Sequence, residues 1–261
     1  ENGDFYGVNA ALLATGGASY TSTGSTGDGY AFAKAFGHSV TPILPSLISL
    51  ETEEEWPKEL MGLSLKNVTL NAYNKKKKLV YSELGEMLFT HFGVSGPLVL
   101  SASSRIADDP AGARLTIDLK PGLDADELDH RLVRDFQQNS RKSFQNALDG
   151  LFPRRMIPVM VQLSGIAADT ETNSVTREQR HAFAALIKCV PITVKAAMPI
   201  DQAIITRGGI NVKEIDPSTM ESKLVSGLYF AGEVIDVDAY TGGFNIQIAC
   251  STGVLAGRSI I

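Results

Sequence analysis

A chain of 261 residues with 44% hydrophobic and 20% charged side chains has the balance of a folded protein and room for two modest domains, or one domain with an insertion. Its 24 Lys+Arg against 29 Asp+Glu leave a net charge of -5, without the positive surplus that phosphate-backbone binding draws on, so nucleic acid is set aside as a partner. Cys189 and Cys250 stand far apart with no Cys or His at metal spacing, which excludes a disulfide framework and a zinc site, and no apolar run approaches the roughly 18 residues of a membrane span; a cytoplasmic protein without membrane contacts is expected.

The chain begins at Glu1 and not at a Met, and its first apolar segment, residues 8–14, reads as a buried strand with no earlier strand to pair with, so a fragment of a longer protein is expected. A glycine-rich loop over 23–29 follows. Residues 30–36 then carry Ala31, Phe32, Ala35 and Phe36 at helical spacing before Gly37, which completes half of an α/β unit. From 42 to 119 the period shortens to two, in stretches at 63–70, 78–81 and 113–119, the pattern of an antiparallel sheet that closes into a barrel. The run Lys75 to Lys78 falls between two of these strands, where a solvated hairpin tip is expected ahead of an anion-binding patch. Asn67-Val68-Thr69 matches a glycosylation sequon that has no secretion signal to go with it.

Helical spacing then takes over in Leu128, Leu132, Val133 and Phe136, in Phe144, Leu148 and Leu151, and across 156–163 and 177–188. Strands return at 191–194, 202–206 and 227–232. A last helix spans 245–255, with Ile246, Ala249 and Val254 placed inward and Gly253 and Gly257 allowing close packing on the sheet. The economical fold class is α/β plus inserted domains. Residues 1–41 and 213–261 form a split Rossmann-like unit, 42–121 and 191–212 an antiparallel β domain, and 122–190 a small helical domain.

Three glycine segments can bring backbone close to a ligand. In the first, Thr15-Gly16-Gly17 ends a strand and the loop leads to a helix N-terminus with free N–H groups and a positive dipole, although such a loop also serves as a plain tight turn. In the second, Thr206-Arg207-Gly208-Gly209 reads first as a bulge or turn. In the third, Gly232-Glu233 places a carboxylate at the end of a strand, and Thr241-Gly242-Gly243-Phe244-Asn245 feeds a helix start, an arrangement suited to a polyol hydroxyl and an electron-rich ring. His38, His130 and His181 read as surface or capping residues, His91 as a structural histidine in a tight turn, and Cys250 as core. No Gly-x-Gly-x-x-Gly, Walker loop, His-Glu-x-x-His or Gly-x-Ser-x-Gly pattern is present.

These segments, in order, resemble the YhiN-type family of bacterial FAD-dependent oxidoreductases, which includes aminoacetone oxidase and bile-acid-processing flavoproteins. The resemblance is carried by 14–17 with Ser19-Tyr20 and 24–30, by Phe89-Thr90-His91-Phe92-Gly93-Val94-Ser95-Gly96-Pro97, and by 219–223, 227–233, Asp236, Asp238 and 241–245. Ala239 stands where a glycine is usual and Phe244 where tyrosine is common. The resemblance implies FAD as cofactor, with Glu233 accepting from the ribityl chain and the backbone of Gly243, Phe244 and Asn245 facing the pyrimidine edge of the ring. Thr15, Gly16 and Gly17 would line the dinucleotide part, next to Gly232. Ser25, Thr26, Thr206, Gly208 and Gly209 are its candidates for the substrate side.

It further implies transfer of hydride or electrons between a small organic substrate and the flavin, with oxygen or NAD(P) as the second redox partner. An amine oxidase and a reductase of an unsaturated ring or enone both fit, and no catalytic acid or base is assigned. The family's amino-terminal Gly-x-Gly-x-x-Gly unit has no counterpart in this sequence. The 261 residues alone are therefore expected to bind FAD weakly or not at all and to be inactive, and the alternative is that they are a non-catalytic remnant of such a flavoprotein.

Overall fold

The computed structural model describes residues 7–260. In chain order its elements are β1 (Ala11–Leu13), α1 (Asp28–Ala35), β2 (Leu44–Ser46), β3 (Leu50–Thr52), α2 (Trp56–Glu59), β4 (Ser64–Tyr73), β5 (Leu79–Phe89), β6 (Gly93–Ser95), α3 (Pro97–Ile106), β7 (Arg114–Asp118), α4 (Ala125–Gln138), α5 (Phe144–Ala147), α6 (Ile157–Ser164), α7 (Arg177–Lys188), β8 (Val190–Ala197), β9 (Ile205–Arg207), β10 (Leu228–Phe230) and α8 (Phe244–Ser259). They divide into two compact units: Ser49–Ala196, and the flanking segments up to Ile48 and from Ala197. The barrel and the helical cluster thus form one unit, and β2 and β9 group with the outer segments, so the divisions fall at 48 and 197 where the sequence pattern suggested 41 and 213.

The period-two stretches close into a six-stranded barrel in the order β3-β6-β5-β4-β7-β8. On β4, Leu65, Val68, Leu70 and Ala72 are buried, and the skip between 65 and 68 is a bulge at which the pairing with β5 shifts and Asn67 takes φ 54°. The sequon asparagine is thus the bulge residue. The lysine run is a turn in which the Asn74 side-chain oxygen accepts the N–H groups of Lys76 and Lys78. Helix α3 is absent from the sequence reading. Its serines are weak helix formers, but Gly96 at φ 90° and Pro97 start it, and Gly85 of β5, which has no side chain, lets Leu98 sit on the strand.

Helices α4 and α7 both begin with capping boxes, Asp124/Glu127 and Thr176/Gln179. They bury Leu128, Leu132 and Phe136 on one side and Phe183, Ala184 and Ile187 on the other. Phe144 is fully buried between them, edge-on to Phe136 at 6.0 Å and to Phe183 at 5.1 Å between ring centroids.

In the other unit β1 runs parallel to β10, with Leu13 opposite Phe230, and β2 pairs antiparallel with β9. Its core gathers Tyr30, Ala33, Ile210, Ile215, Phe230 and Val234. The elements lie close to their expected places, but several faces differ. Leu12 of β1 is 41% exposed, so this strand is not a buried one among the described residues. Helix α1 buries Gly29, Tyr30 and Ala33 and turns Phe32 and Phe36 outward. Helix α8 buries Ala256 alone among its sixteen residues, leaving Ile246 and Val254 exposed, and no atom lies within 4 Å of a Cβ placed at Gly253 or Gly257. Helical spacing locates an apolar stripe, but which stripe is covered depends on distant segments.

Candidate functional site

Thr206 follows Ile205 in β9, and Glu233 follows the buried strand β10, each placed by a short apolar strand ending in a turn. The Thr206 N–H donates to Glu233 Oε1 at 2.7 Å, and Ser19 Oγ donates to the same oxygen at 3.2 Å. Thr206 Oγ1 accepts from the N–H groups of Ala18 and Ser19, at 2.8 and 3.0 Å. Gly17 is required here, because a Cβ at that position would collide with both Thr206 Oγ1 and Glu233 Oε1. The three glycine segments of the sequence therefore meet at one carboxylate. The other oxygen, Glu233 Oε2, takes no part in this set.

Glu233 lies on the wall of a cavity of about 420 Å³ that also touches Leu47, Ile205, Tyr240, Gly243 and Ile246. Gly243 opens α8 at φ 89° with no side-chain cap, and the space where its Cβ would stand is empty to 4 Å. The first N–H groups of α8 therefore carry the positive end of the helix dipole to the cavity edge. Asn245 also lines the cavity, and its side-chain amide is engaged in the preceding loop. It clamps the preceding loop, accepting from Ala239 N and donating to Ala239 O, both at 2.8 Å, which holds the turn before α8 in place. Phe244 is 59% exposed, its ring against Gly242.

In the same unit the hydroxyl of Tyr30 is buried and has no hydrogen-bond partner among the described residues. Burial, with Glu233 and then Asp236 nearby, pushes its pKa up to about 12. This phenol stays protonated.

The remaining sequence candidates are placed as follows. Gly16 packs on the Ser25 side chain, and Thr15 lies beside Gly29 at the start of α1, so both belong to the loop that presents this helix. Thr26 is exposed and donates to Asp28 at 2.8 Å. Thr206 is 1% exposed, and Gly208 and Gly209 are buried where a Cβ would strike the backbone of Pro42 and of Val234, so these three hold chain segments together in the structure. Gly232 lies at φ 77° and donates its N–H to Thr252 of α8. Leu47, buried at φ 52°, and Tyr240 line the cavity without having been singled out in the sequence, since a lone Leu or Tyr in a loop carries no pattern.

The histidines and cysteines also need correction. His38 is buried and not a surface or capping residue: Nδ1 lies 3.1 Å from Glu214 Oε2 and Nε2 2.8 Å from Ser222 Oγ. Ser222 Oγ already accepts the N–H groups of Leu224 and Val225, so its hydrogen points at His38 Nε2, and Nδ1 carries the ring proton to Glu214. Cys250 is exposed and not core, because its stripe of α8 is uncovered. Among the described residues no group of three or more His, Cys, Asp or Glu is placed to hold a metal ion, and no helix is long and apolar enough to cross a membrane.

The chain is thus a closed barrel and helical cluster inserted in sequence between glycine-rich segments whose turns converge on a single carboxylate. Residues 44–205 match the model of the HI0933-like protein barrel and H2TH domain, and the chain belongs to this family of YhiN-type flavoproteins. It is 29% identical over 261 residues to a 3-dehydro-bile acid delta(4,6)-reductase of Clostridium scindens, covering 99% of this chain and 63% of that protein. It is also similar to two proteins named ribosomal RNA dihydrouridine synthase. One, from Haemophilus influenzae, is 32% identical over 95% of this chain and 59% of its own length; the other, from Escherichia coli, is 30% identical over 100% and 62%. The chain spans about three fifths of the length of these curated relatives.

Proposed function

We propose that the protein is an FAD-dependent oxidoreductase of the reductase kind, acting on a ring carbon–carbon double bond conjugated to a carbonyl. The observation that carries this reading is the junction at Glu233, where three separate segments fix one carboxylate oxygen on the wall of a cavity that the open start of α8 also lines. The residues present fit a flavin. The cavity volume lies within the range of about 300–1,000 Å³ typical of small-molecule sites, and Gly243 leaves space where any side chain would stand.

Glu233 Oε2 would accept a ligand hydroxyl, while the first N–H groups of α8 would stabilise negative charge on an electron-rich ring edge. Leu47 and Ile205 would keep water from the reacting face. Gly16, Gly17 and the start of α1 would belong to a partial, Rossmann-like dinucleotide unit. When bound, the flavin supplies hydride chemistry, with NAD(P)H as electron source.

The relatives' names support the reductase direction over an amine oxidase, because delta(4,6)-reductase and dihydrouridine synthase both denote adding hydrogen across ring double bonds. The delta(4,6)-reductase relative, which matches 99% of this chain, favours a steroid-like enone. The two ribosomal RNA relatives favour a second reading, in which the ring is a uracil of RNA. The test is consumption of NAD(P)H by the chain with FAD, comparing a bile-acid 4,6-dien-3-one with a uridine-containing RNA. Turnover with the dienone and none with RNA is the expected result; the reverse selects the second reading, and turnover with neither rejects both.

A further inference from the structure

At one end of the barrel the turn between β4 and β5 carries four lysines in a row, Lys75 to Lys78, all of them exposed. The turn is held by its own polar groups. Lys77 N–H donates to Asn74 O at 2.8 Å and Asn74 N–H to Lys78 O at 3.1 Å, while Asn74 Oδ1 takes the N–H groups of Lys76 and Lys78. Lys75 is neutralised by Asp109 at 2.6 Å, and the neighbouring acid Asp108 is engaged as well. The ammonium groups of Lys76, Lys77 and Lys78 make no hydrogen bond or ion pair among the described residues. Three adjacent positive charges thus stand unneutralised on a fixed turn. The net charge of -5 does not cancel them, because charges beyond about 8 Å are largely screened at physiological salt.

Two further observations bear on this turn. Lys77 takes φ 59°, the left-handed position of the hairpin loop, which Gly or Asn fills with less strain. The position therefore keeps a charge against its own backbone preference. The strands below the turn add a ring and a fourth cation. Ala72 is fully buried inside the barrel, so Tyr73 faces outward; it is half-buried, in register with Arg114 of β7 on one side and Leu79 of β5 on the other. Arg114 is exposed and makes no ion pair among the described residues.

We propose that the β4–β5 turn, with Tyr73 and Arg114 beneath it, is a contact surface for single-stranded RNA. Lys76, Lys77 and Lys78 meet successive backbone phosphates, and the outward Tyr73 ring with the Arg114 guanidinium beside it offers an unpaired base a surface to stack on. An anionic lipid surface is satisfied by the lysines alone and gives the ring and the guanidinium no part. The inference goes beyond the proposed reaction: it concerns binding by the barrel unit and holds whichever ring is reduced.

The test is a titration of a short fluorescein-labelled single-stranded RNA with the whole chain, followed by anisotropy at several salt concentrations, beside sedimentation with phosphatidylserine-containing vesicles. Saturable RNA binding that weakens with salt is the expected result. The combined variant Lys76→Met, Lys77→Met, Lys78→Met should weaken it about tenfold or more and flatten the slope of log affinity against log salt by about 2, at roughly 0.7 per phosphate contact on a single strand. Tyr73→Leu should weaken binding and leave that slope unchanged, and Lys34→Met, in the other unit, should change neither. Lys77→Gly separates the charge from the fold: it should raise the thermal midpoint while lowering RNA affinity. No RNA binding at low salt, or binding that the combined variant leaves unchanged, overturns the proposal. Vesicle binding without RNA binding overturns it too and assigns the turn to a lipid surface. None of these measurements requires flavin or turnover, so their failure and that of the reductase reading are told apart.

Discussion

The backbone N–H of Thr206 and the carboxylate of Glu233 meet at 2.7 Å across 27 residues of chain, while the Thr206 hydroxyl oxygen takes two N–H groups from the loop after β1. Thr206 thus joins the strand that ends at the cavity to the loop that precedes α1. Replacing it with valine keeps its shape and leaves the Ala18 and Ser19 N–H groups without an acceptor in a buried place. The expected loss is about 1–3 kcal/mol in a denaturant titration, larger than that of an exposed threonine such as Thr26→Val, which falls within about 0.5 kcal/mol.

Two glycines of the site separate crowding from backbone conformation. Gly17→Ala sets a methyl group against Thr206 and Glu233 and should cost about 1–3 kcal/mol, moving the Glu233 carboxylate. Gly243→Ala meets open space and carries only the penalty of its left-handed backbone, about 1–2 kcal/mol. Thermal denaturation of both variants, with ligand affinity measured beside it, checks the difference: the first should lose affinity out of proportion to stability if Glu233 is the anchor.

The Glu214 carboxyl is held below the usual carboxylate range by the Ser39 hydroxyl first, then by the Ser39 N–H and His38. A group with a lowered folded pKa stabilises the fold above its unfolded pKa, about 4.5, and this contribution is lost as pH falls through the folded value. Urea midpoints measured from pH 7 down to pH 3 should therefore fall below about pH 4.5, and Glu214→Gln should flatten that part of the curve. An unchanged slope in the variant would assign the acid sensitivity to other carboxylates, of which Asp129, lowered by Arg180, is the first to examine.

In the helical cluster Phe144 has no exposed surface and touches Phe136 and Phe183 edge-on. Phe144→Ala should cost about 3–5 kcal/mol, and Phe144→Leu much less, as read from unfolding of the unit Ser49–Ala196.

Much of this architecture was legible because it rests on local period. Alternation of Leu65, Leu70 and Ala72 with polar neighbours located the barrel strands, and Leu128, Leu132 and Phe136 located α4. The site was legible as segments and not as contacts: Gly17, Thr206 and Glu233 each stood in a suspicious turn, but nothing in the spacing links residues as far apart as 17 and 206. His38 shows the limit most clearly. Its partners, Glu214 and Ser222, lie 176 and 184 positions away, so a fully satisfied buried histidine reads in the sequence as an idle one. The uncovered stripe of α8 was misread for the same reason, since periodicity describes a helix and says nothing of what lies against it.

The central claim is that Glu233 and the start of α8 hold a flavin, and a titration of FAD with this chain, followed by the visible flavin spectrum, addresses it most directly. The account predicts a saturable shift of the flavin bands, with Glu233→Ala weakening the apparent affinity about tenfold, the equivalent of one charge-assisted hydrogen bond, while Lys76→Met changes nothing. Flavin bands that do not move at any protein concentration, or that move equally with Glu233→Ala, would contradict it.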